Sequence, residues 1–404
     1  MRIRIKLILC IIGTIILSQL VTRLDAADVP EFKTIVLDEG IGKVCYAVTV
    51  ADVNNDGKPD PVALSENRLI WFENPSWKPH VILENQLELD HVCLAPQDID
   101  GDGLVDFAVG AGWTKKGTIQ WISRDKENPD GLWKVYPIAV ERWTHRMRWG
   151  DVFGTGTPQL TVSPLNKTQG EGVRLLAFEI PENPRTDRWQ PTVMNDSLNK
   201  MHNHWIVKGI GGLPDTTYTA SEEGVTVITK VNGQFKSVKT FRDSEEANPK
   251  GAGEIKVGEM KSMNHFFVCV EPFHGNELAA YFARVYDDGK VFTTRSLITD
   301  KMKRGHALWL ADVDNDGADE IIIGHSDPGQ DEFATPSISI FDATINGEEI
   351  SWTRTIVDDK NIASEDLIAH DFNGDGWVDV LAGGRATHNV KLYLNQGLAG
   401  KESN

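Results

Sequence analysis

The chain has 404 residues, with 41 Lys and Arg against 59 Asp and Glu and a formal net charge of −18. At 40% hydrophobic and 25% charged residues the composition is globular, neither disordered nor membrane-embedded. So acidic a surface repels polyphosphates, which excludes nucleic acid as a partner.

In chain order the first feature is Met1 to Ala26. Arg2, Arg4 and Lys6 precede an uncharged run from Leu7 to Thr22, and Leu24-Asp25-Ala26 follows at the usual cleavage positions. This predicts a secretory signal peptide, because the strongly apolar part is shorter than the roughly 20 residues a bilayer span needs. The exported protein is then expected over 27–398, with a tail at 399–404 and no membrane span. It keeps Cys45, Cys93 and Cys269, an odd number, so buried free thiols are expected rather than a disulfide framework.

Phe32 to Leu37 alternates and predicts a strand standing ahead of the first repeat. A unit of about 50 residues then recurs. Its signature is an acidic Gly turn: Asp52-Val-Asn54-Asn-Asp56-Gly57-Lys-Pro-Asp60, Asp98-Ile-Asp100-Gly-Asp102-Gly103-Leu-Val-Asp106, a weaker Asp151-Val-Phe-Gly-Thr-Gly156, Asp312-Val-Asp314-Asn-Asp316-Gly317-Ala-Asp-Glu320 and Asp371-Phe-Asn373-Gly-Asp375-Gly376-Trp-Val-Asp379. Degenerate copies occur at Ile206 to Asp215 and Ile255 to Asn264, making seven units. Each reads as a four-stranded antiparallel meander, as in Val44 to Ala51, Pro61 to Leu64, Leu69 to Glu73 and Pro79 to Leu83. Seven such sheets bury their faces by stacking round an axis, which predicts an all-β, seven-bladed β-propeller. The last unit has three strands only, Leu367 to His370, Val378 to Ala382 and Val390 to Leu394, and Phe32 to Leu37 is expected to complete it. The repeats resemble FG-GAP or VCBS propeller blades.

Within D-x-[DN]-x-D-G-x-x-[DE], oxygens at positions 1, 3, 5 and 9 converge and the Gly permits the bend, as a hard cation requires. Calcium is therefore expected, in a structural role, at Asp52, Asn54, Asp56 and Asp60, at Asp98, Asp100, Asp102 and Asp106, at Asp312, Asp314, Asp316 and Glu320, and at Asp371, Asn373, Asp375 and Asp379. The alternative is a bare Asp-Gly hairpin, in which three or four carboxylates repel one another without a counter-ion.

Residues six before the turn share one end of the inner strands: Tyr46, His145, His202, His306 and Glu365, with His91 one residue further out. About thirteen residues after the same reference come Glu271, His274, His325, Arg385 and His388, at the exit of the second strand. Both sets face one mouth of the axial channel, where imidazoles suit zinc or another divalent ion. Trp113 is expected at this mouth, and Trp149, Trp205 and Trp309 in the core between blades.

His145-Arg146-Met-Arg148-Trp149-Gly-Asp151, Met201-His202-Asn203, Glu271-Pro-Phe-His274-Gly-Asn-Glu277, Gly305-His306-Ala-Leu-Trp309, Glu365-Asp366 and Gly383-Gly384-Arg385-Ala-Thr-His388-Asn389 together resemble the propeller domain of the aldos-2-ulose dehydratase/isomerase type. The resemblance implies metal-assisted dehydration of 2-keto sugars such as 1,5-anhydrofructose. The 404 residues contain no cupin portion, so isomerisation is not implied. A ketone at C2 acidifies the C3 proton, an imidazole removes it, and loss of the C4 hydroxyl or of a C4-linked sugar completes a β-elimination. His202 or His145 is expected as base, and Tyr46 or His388 as acid. Arg146, Arg148 and Arg385 would stabilise negative charge, with Glu271 and His274 as further catalytic groups and His91, His306 and Glu365 as metal ligands. The alternatives are a non-catalytic calcium propeller that binds glycans or proteins, and a polysaccharide lyase acting on uronates.

Overall fold

The computed structural model describes residues 30–128, 131–239, 241–242, 251–260, 263–285, 291–346 and 349–398. The expected signal peptide and the tail at 399–404 lie outside them. Seven antiparallel sheets follow one another along the chain, and their first strands contact each other in a closed ring. The protein is a seven-bladed β-propeller.

Blade 1 consists of Cys45–Ala51, Asp60–Ser65, Arg68–Glu73 and Lys78–Glu84, innermost first. Its second strand is buried at every position, as are Asp106–Ala111, Gln159–Pro164, Glu320–His325 and Asp379–Gly384 in blades 2, 3, 6 and 7. A strand covered by neighbouring blades on both faces needs a near-continuous apolar or small sequence, whereas the outermost strand, as in Gln234–Lys239, meets water and is polar. Glycines allow neighbouring blades to approach: a Cβ on Gly110 of blade 2 would stand 2.7 Å from Thr144 Cγ2 of blade 3, and one on Gly383 of blade 7 would stand 2.5 Å from Cys45 Sγ of blade 1. Cys45 is thus a packing residue, and all three cysteines are buried free thiols.

The ring closes as expected. Phe32–Asp38 pairs antiparallel with Val390–Asn395 and forms the outer strand of the sheet built from Ser364–His370 and Asp379–Gly384. Blade 5 departs from the simple repeat, because Phe241–Arg242 adds a short parallel strand to its outer edge.

In each full acidic turn the Gly at position 6 has positive φ, between 81° and 86° at Gly57, Gly103, Gly317 and Gly376, where a Cβ is strained. The position-1 carboxylate accepts the amide hydrogens of positions 5 and 6, as Asp52 does from Asp56 and Gly57. The last acid turns inward and accepts the position-2 amide: Asp60 from Val53, Asp106 from Ile99, Glu320 from Val313 and Asp379 from Phe372. These four acids latch the turn onto the second strand. Burial raises Asp106 and Asp379 to about 7 and Glu320 to about 9.

Candidate active site at the channel mouth

The backbone device that builds the mouth is a β-bulge. The first strands of blades 1, 3, 4, 6 and 7 each shift register at their second residue, and the bulged residues are Tyr46, His145, His202, His306 and Glu365. A bulge re-aims one side chain out of the pleat. Four of them, Tyr46, His145, His306 and Glu365, line one cleft of about 90 Å³ together with Trp113, His274, Arg304 and Arg385, and the buried His202 touches it through His274.

Blades 2 and 5 have no bulge at this end. In blade 2 the cleft is lined by Val92, and His91, one residue earlier, is fully buried away from it with neither ring nitrogen hydrogen-bonded. The expectation that His91 ligates a mouth metal is therefore corrected: without the extra residue, neighbouring positions point to opposite sides. Burial lowers His91 to about 4. In blade 5 the equivalent position is Gly253. A Cβ there would stand 2.0 Å from the Phe273 carbonyl oxygen, so the loop leaving the second strand occupies the space and His274 supplies the side chain instead.

The imidazoles are oriented by a relay of carbonyls. Nδ1 of His145 donates to the His202 carbonyl (2.8 Å), Nδ1 of His202 to the Gly253 carbonyl (3.0 Å), and Nδ1 of His306 to the Glu365 carbonyl. Each ring then carries its lone pair on Nε2. One nitrogen each from His202, His274 and His306 lie within 4.8 Å of one another, and the Nε2 atoms of His202 and His274 are 2.8 Å apart. Three imidazoles, two of them held at Nδ1 by carbonyls, are a donor set that fits zinc with an open fourth position. Opening the His202–His274 pair to about 3.3 Å would give tetrahedral spacing. Burial holds His145 and His306 well below the usual imidazole range and His274 at about 3, so all three are neutral at pH 7.

Beneath the trio lies a buried carboxylate that the sequence reading missed. Glu254 follows Gly253 as Arg146 follows His145; its Oε1 is 3.1 Å from Arg146 Nη2 and 3.1 Å from His202 Nδ1, and its Oε2 accepts from Asn203. Burial opposes its ionisation, but Arg146 and the hydrogen bond to His202 outweigh it and hold the carboxyl well below the ordinary range.

The remaining expected residues divide. Arg385 lines the cleft and binds Glu365 Oε1 at 2.5 Å; the other oxygen of Glu365 is buried without a hydrogen bond, and burial raises this acid. Tyr46 is raised to about 12, by burial first and Asp90 second, and so remains a proton donor. Four residues do not join the cleft. Glu271 turns to Arg295 (2.9 Å) and Tyr281; His388 is exposed and donates to the Lys43 carbonyl; both ring nitrogens of His325 are engaged, by the Asp327 carbonyl and Ser337; and Arg148 lies deeper in the channel, donating to the His204 carbonyl at 2.7 Å. Arg304, a lining residue, sits off both ring offsets, so nothing in the spacing marks it. Trp113 reaches the mouth as expected, 5.7 Å from His145. Trp309 packs between blades, while Trp149 and Trp205 do so and also face the channel.

Residues 116–284 match the family described as aldos-2-ulose dehydratase, β-propeller domain. The match runs from the third strand of blade 2 into blade 5 and includes His145, Arg146, His202, Glu254 and His274. The resemblance to the aldos-2-ulose dehydratase propeller inferred from the sequence is thereby shown, and the rest of its carrying motifs fall on blades 6 and 7. Among solved structures, the chain is similar to the extracellular domain of a one component system, BT4673 of B. thetaiotaomicron, at 12% identity and a TM-score of 0.52. That likeness shows the fold alone; it covers 90% of this chain and 40% of the other. No curated protein matches the chain.

Proposed function

We propose that the protein is an exported carbohydrate lyase of the dehydratase type, which performs β-elimination on 2-keto sugars such as 1,5-anhydrofructose or on keto glycosides. The observation that carries this reading is the trio His202, His274 and His306 beside a separately oriented His145 in a cleft that also holds Tyr46, Arg304 and Arg385. The match to a dehydratase-associated propeller supports the reaction class. Export is supported by the leader-like start, and no helix among the described residues is long and apolar enough to cross a membrane.

A divalent ion on His202, His274 and His306 would supply Lewis acidity toward the C2 carbonyl oxygen. Neutral His145, its Nδ1 fixed on a carbonyl, accepts the C3 proton at Nε2. Arg385 and Arg304 face the negative charge that develops on the C2 oxygen. Tyr46 donates its phenolic proton to the leaving C4 oxygen as the C4–O bond breaks and the C3–C4 double bond forms. Water or a sugar departs, a conjugated enone remains, and proton exchange with solvent resets His145 and Tyr46. The acidic turns would hold calcium and stiffen the far face, with the ligands named above.

The test is incubation with 1,5-anhydrofructose, with keto glycosides and with uronate polymers while near-UV absorbance is followed. A rise with the keto sugars that disappears in His145→Ala is expected, together with metal loss in His202→Ala. Absorbance with uronate polymers alone would replace the reading by a polysaccharide lyase. No product from any of them, with metal content unchanged in His202→Ala, would leave a binding propeller.

A further inference from the structure

The axial channel continues past the Arg146–Glu254 layer. On the turn side the first strands of blades 1 to 4 line a second, open cavity of about 290 Å³, with Thr49, Met147, Arg148, Trp149, Trp205 and Ile206 in its wall. None of these residues lines the mouth cleft.

Its electrostatics are unusual for a protein of net charge −18. The Arg148 guanidinium carbon stands 4.4 Å from the Trp205 ring centroid, and Lys256 Nζ stands 4.8 Å from the same ring and 5.4 Å from that of Trp309. Lys256 is 4% exposed, and among the described residues its ammonium has no hydrogen bond and no ion-pair partner. The neighbouring carboxylates are already committed, Glu254 to Arg146 and Asn203, and Asp366 to the Val48 amide. Indole faces attract a cation, but they replace only part of the hydration lost on burial. Burial, then Arg148, pushes Lys256 down to about 7 against the opposing pull of Glu254 and Asp366.

We infer that the turn-side half of the channel binds a small organic carboxylate of monosaccharide size, a sugar acid, with Arg148 as the direct partner of its carboxylate and Lys256 adding positive potential from behind Trp205. The volume is too large for a halide or a single water and approaches the lower end of small-molecule pockets. The wall mixes polar and apolar residues as such a ligand requires: Arg148 and Thr49 stand among Leu94, Met147, Trp149 and Ile206. Trp205 lies under the Arg148 guanidinium and orients it, and Arg recognises a carboxylate through paired donors, of which Arg148 uses only Nε and one Nη2 contact within the protein. This site is independent of the mouth reading and shares no residue with it.

The experiment is calorimetric titration of the intact protein with glucuronate, glucose and inorganic phosphate in parallel, followed by tryptophan fluorescence. Glucuronate alone should bind and change the emission. Arg148→Gln should weaken it about 10- to 100-fold, the value of one charge-assisted hydrogen-bonded contact. Lys256→Met, which removes no hydrogen bond and keeps a long side chain, should weaken it less while leaving the protein folded. His202→Ala should leave binding intact even if it abolishes every mouth activity, which separates the two sites. Equal binding of glucose, binding of phosphate only, no binding to the intact protein, or glucuronate affinity unchanged in both channel variants would each overturn the proposal.

Discussion

Blades 3 to 5 and blades 6, 7, 1 and 2 are built on one plan, but the second group concentrates its carboxylates at the turns. In the second group each turn gathers three or four carboxylates, and its last acid is buried as the latch on the position-2 amide. In blade 3 the turn survives with Asp151 accepting from Thr155 and Gly156, but a neutral Gln159 provides the latch and accepts from the next amide along, that of Phe153. Blades 3 and 5 carry four buried charges on their inner strands as well, Arg146, Arg148, Glu254 and Lys256. The fold thus needs the latch hydrogen bond and not the latch charge, which frees one arc of the ring for channel chemistry. The dehydratase-type match over 116–284 falls mainly on that arc.

The sharpest way to break this contrast is to disable each arc separately. His202→Ala should lower elimination by at least about 1000-fold, since it removes both a metal donor and the carbonyl-anchored orientation of the trio. Asp312→Asn in the blade 6 turn should leave the rate unchanged, as measured by initial rates of enone absorbance. If both variants lose activity equally, the two arcs are not functionally distinct. The next largest effect is on stability. Glu254→Gln leaves Arg146 buried without its anion, and a loss of about 3 kcal/mol or more in urea unfolding is expected.

How far these arcs were legible in the sequence depends on bulges. Repeat length, strand order and the closing role of Phe32–Asp38 follow from periodicity and turn residues, because those are local. The count of six residues back from the turn found Tyr46, His145, His202, His306 and Glu365, since all five sit on the same bulge. It failed at His91, where no bulge exists, and a single-residue slip reverses a side chain. Glu254 and Lys256 were hidden because the blade 5 turn has lost its signature and the ring position is a glycine. Recognising Gly253 as that position would have found both, Glu254 beside Arg146 in the count and Lys256 in line with Arg148 and Trp205. Glu271 has the right offset but finds Arg295 and Tyr281 first, and only packing decides that.

A smaller test concerns the cation that the channel arc buries. Lys256 in the folded protein titrates near 7, below the ordinary lysine value of about 10.4. Between these values the unfolded chain holds one more proton than the folded one, so stability rises with pH across that window. Below about pH 7 both forms are protonated and the folded state carries the full desolvation cost. Lys256→Met should therefore be the more stable protein at pH 6, by about 2 kcal/mol, with the gap closing toward pH 10. A gap independent of pH would show that Lys256 is not desolvated and would weaken the contrast between the arcs.

The smallest expected effect separates two acidic turns that look alike in sequence. In blade 2, Asp100 pairs with Arg185, and Asp102 with Lys126 at 2.8 Å, so part of the anionic charge is already balanced. In blade 6, Asp312 and Asp314 have no ion pair among the described residues, and Asp314 is raised to about 6, by burial first and then by Asp316, Asp342 and Asp312. Without calcium, Asp314→Asn should then raise the melting temperature, because it removes repulsion, while Asp100→Asn should lower it, because it breaks the pair with Arg185. Solvent screening keeps each change under about 1 kcal/mol. Added calcium should reverse the sign for Asp314→Asn, since the variant lacks a ligand that the ion would use. If Asp314→Asn is neutral or harmful in chelator and calcium changes neither melt, the blade 6 turn is a hairpin held by amide hydrogen bonds alone, and the acidic arc differs from blades 3 to 5 only in charge.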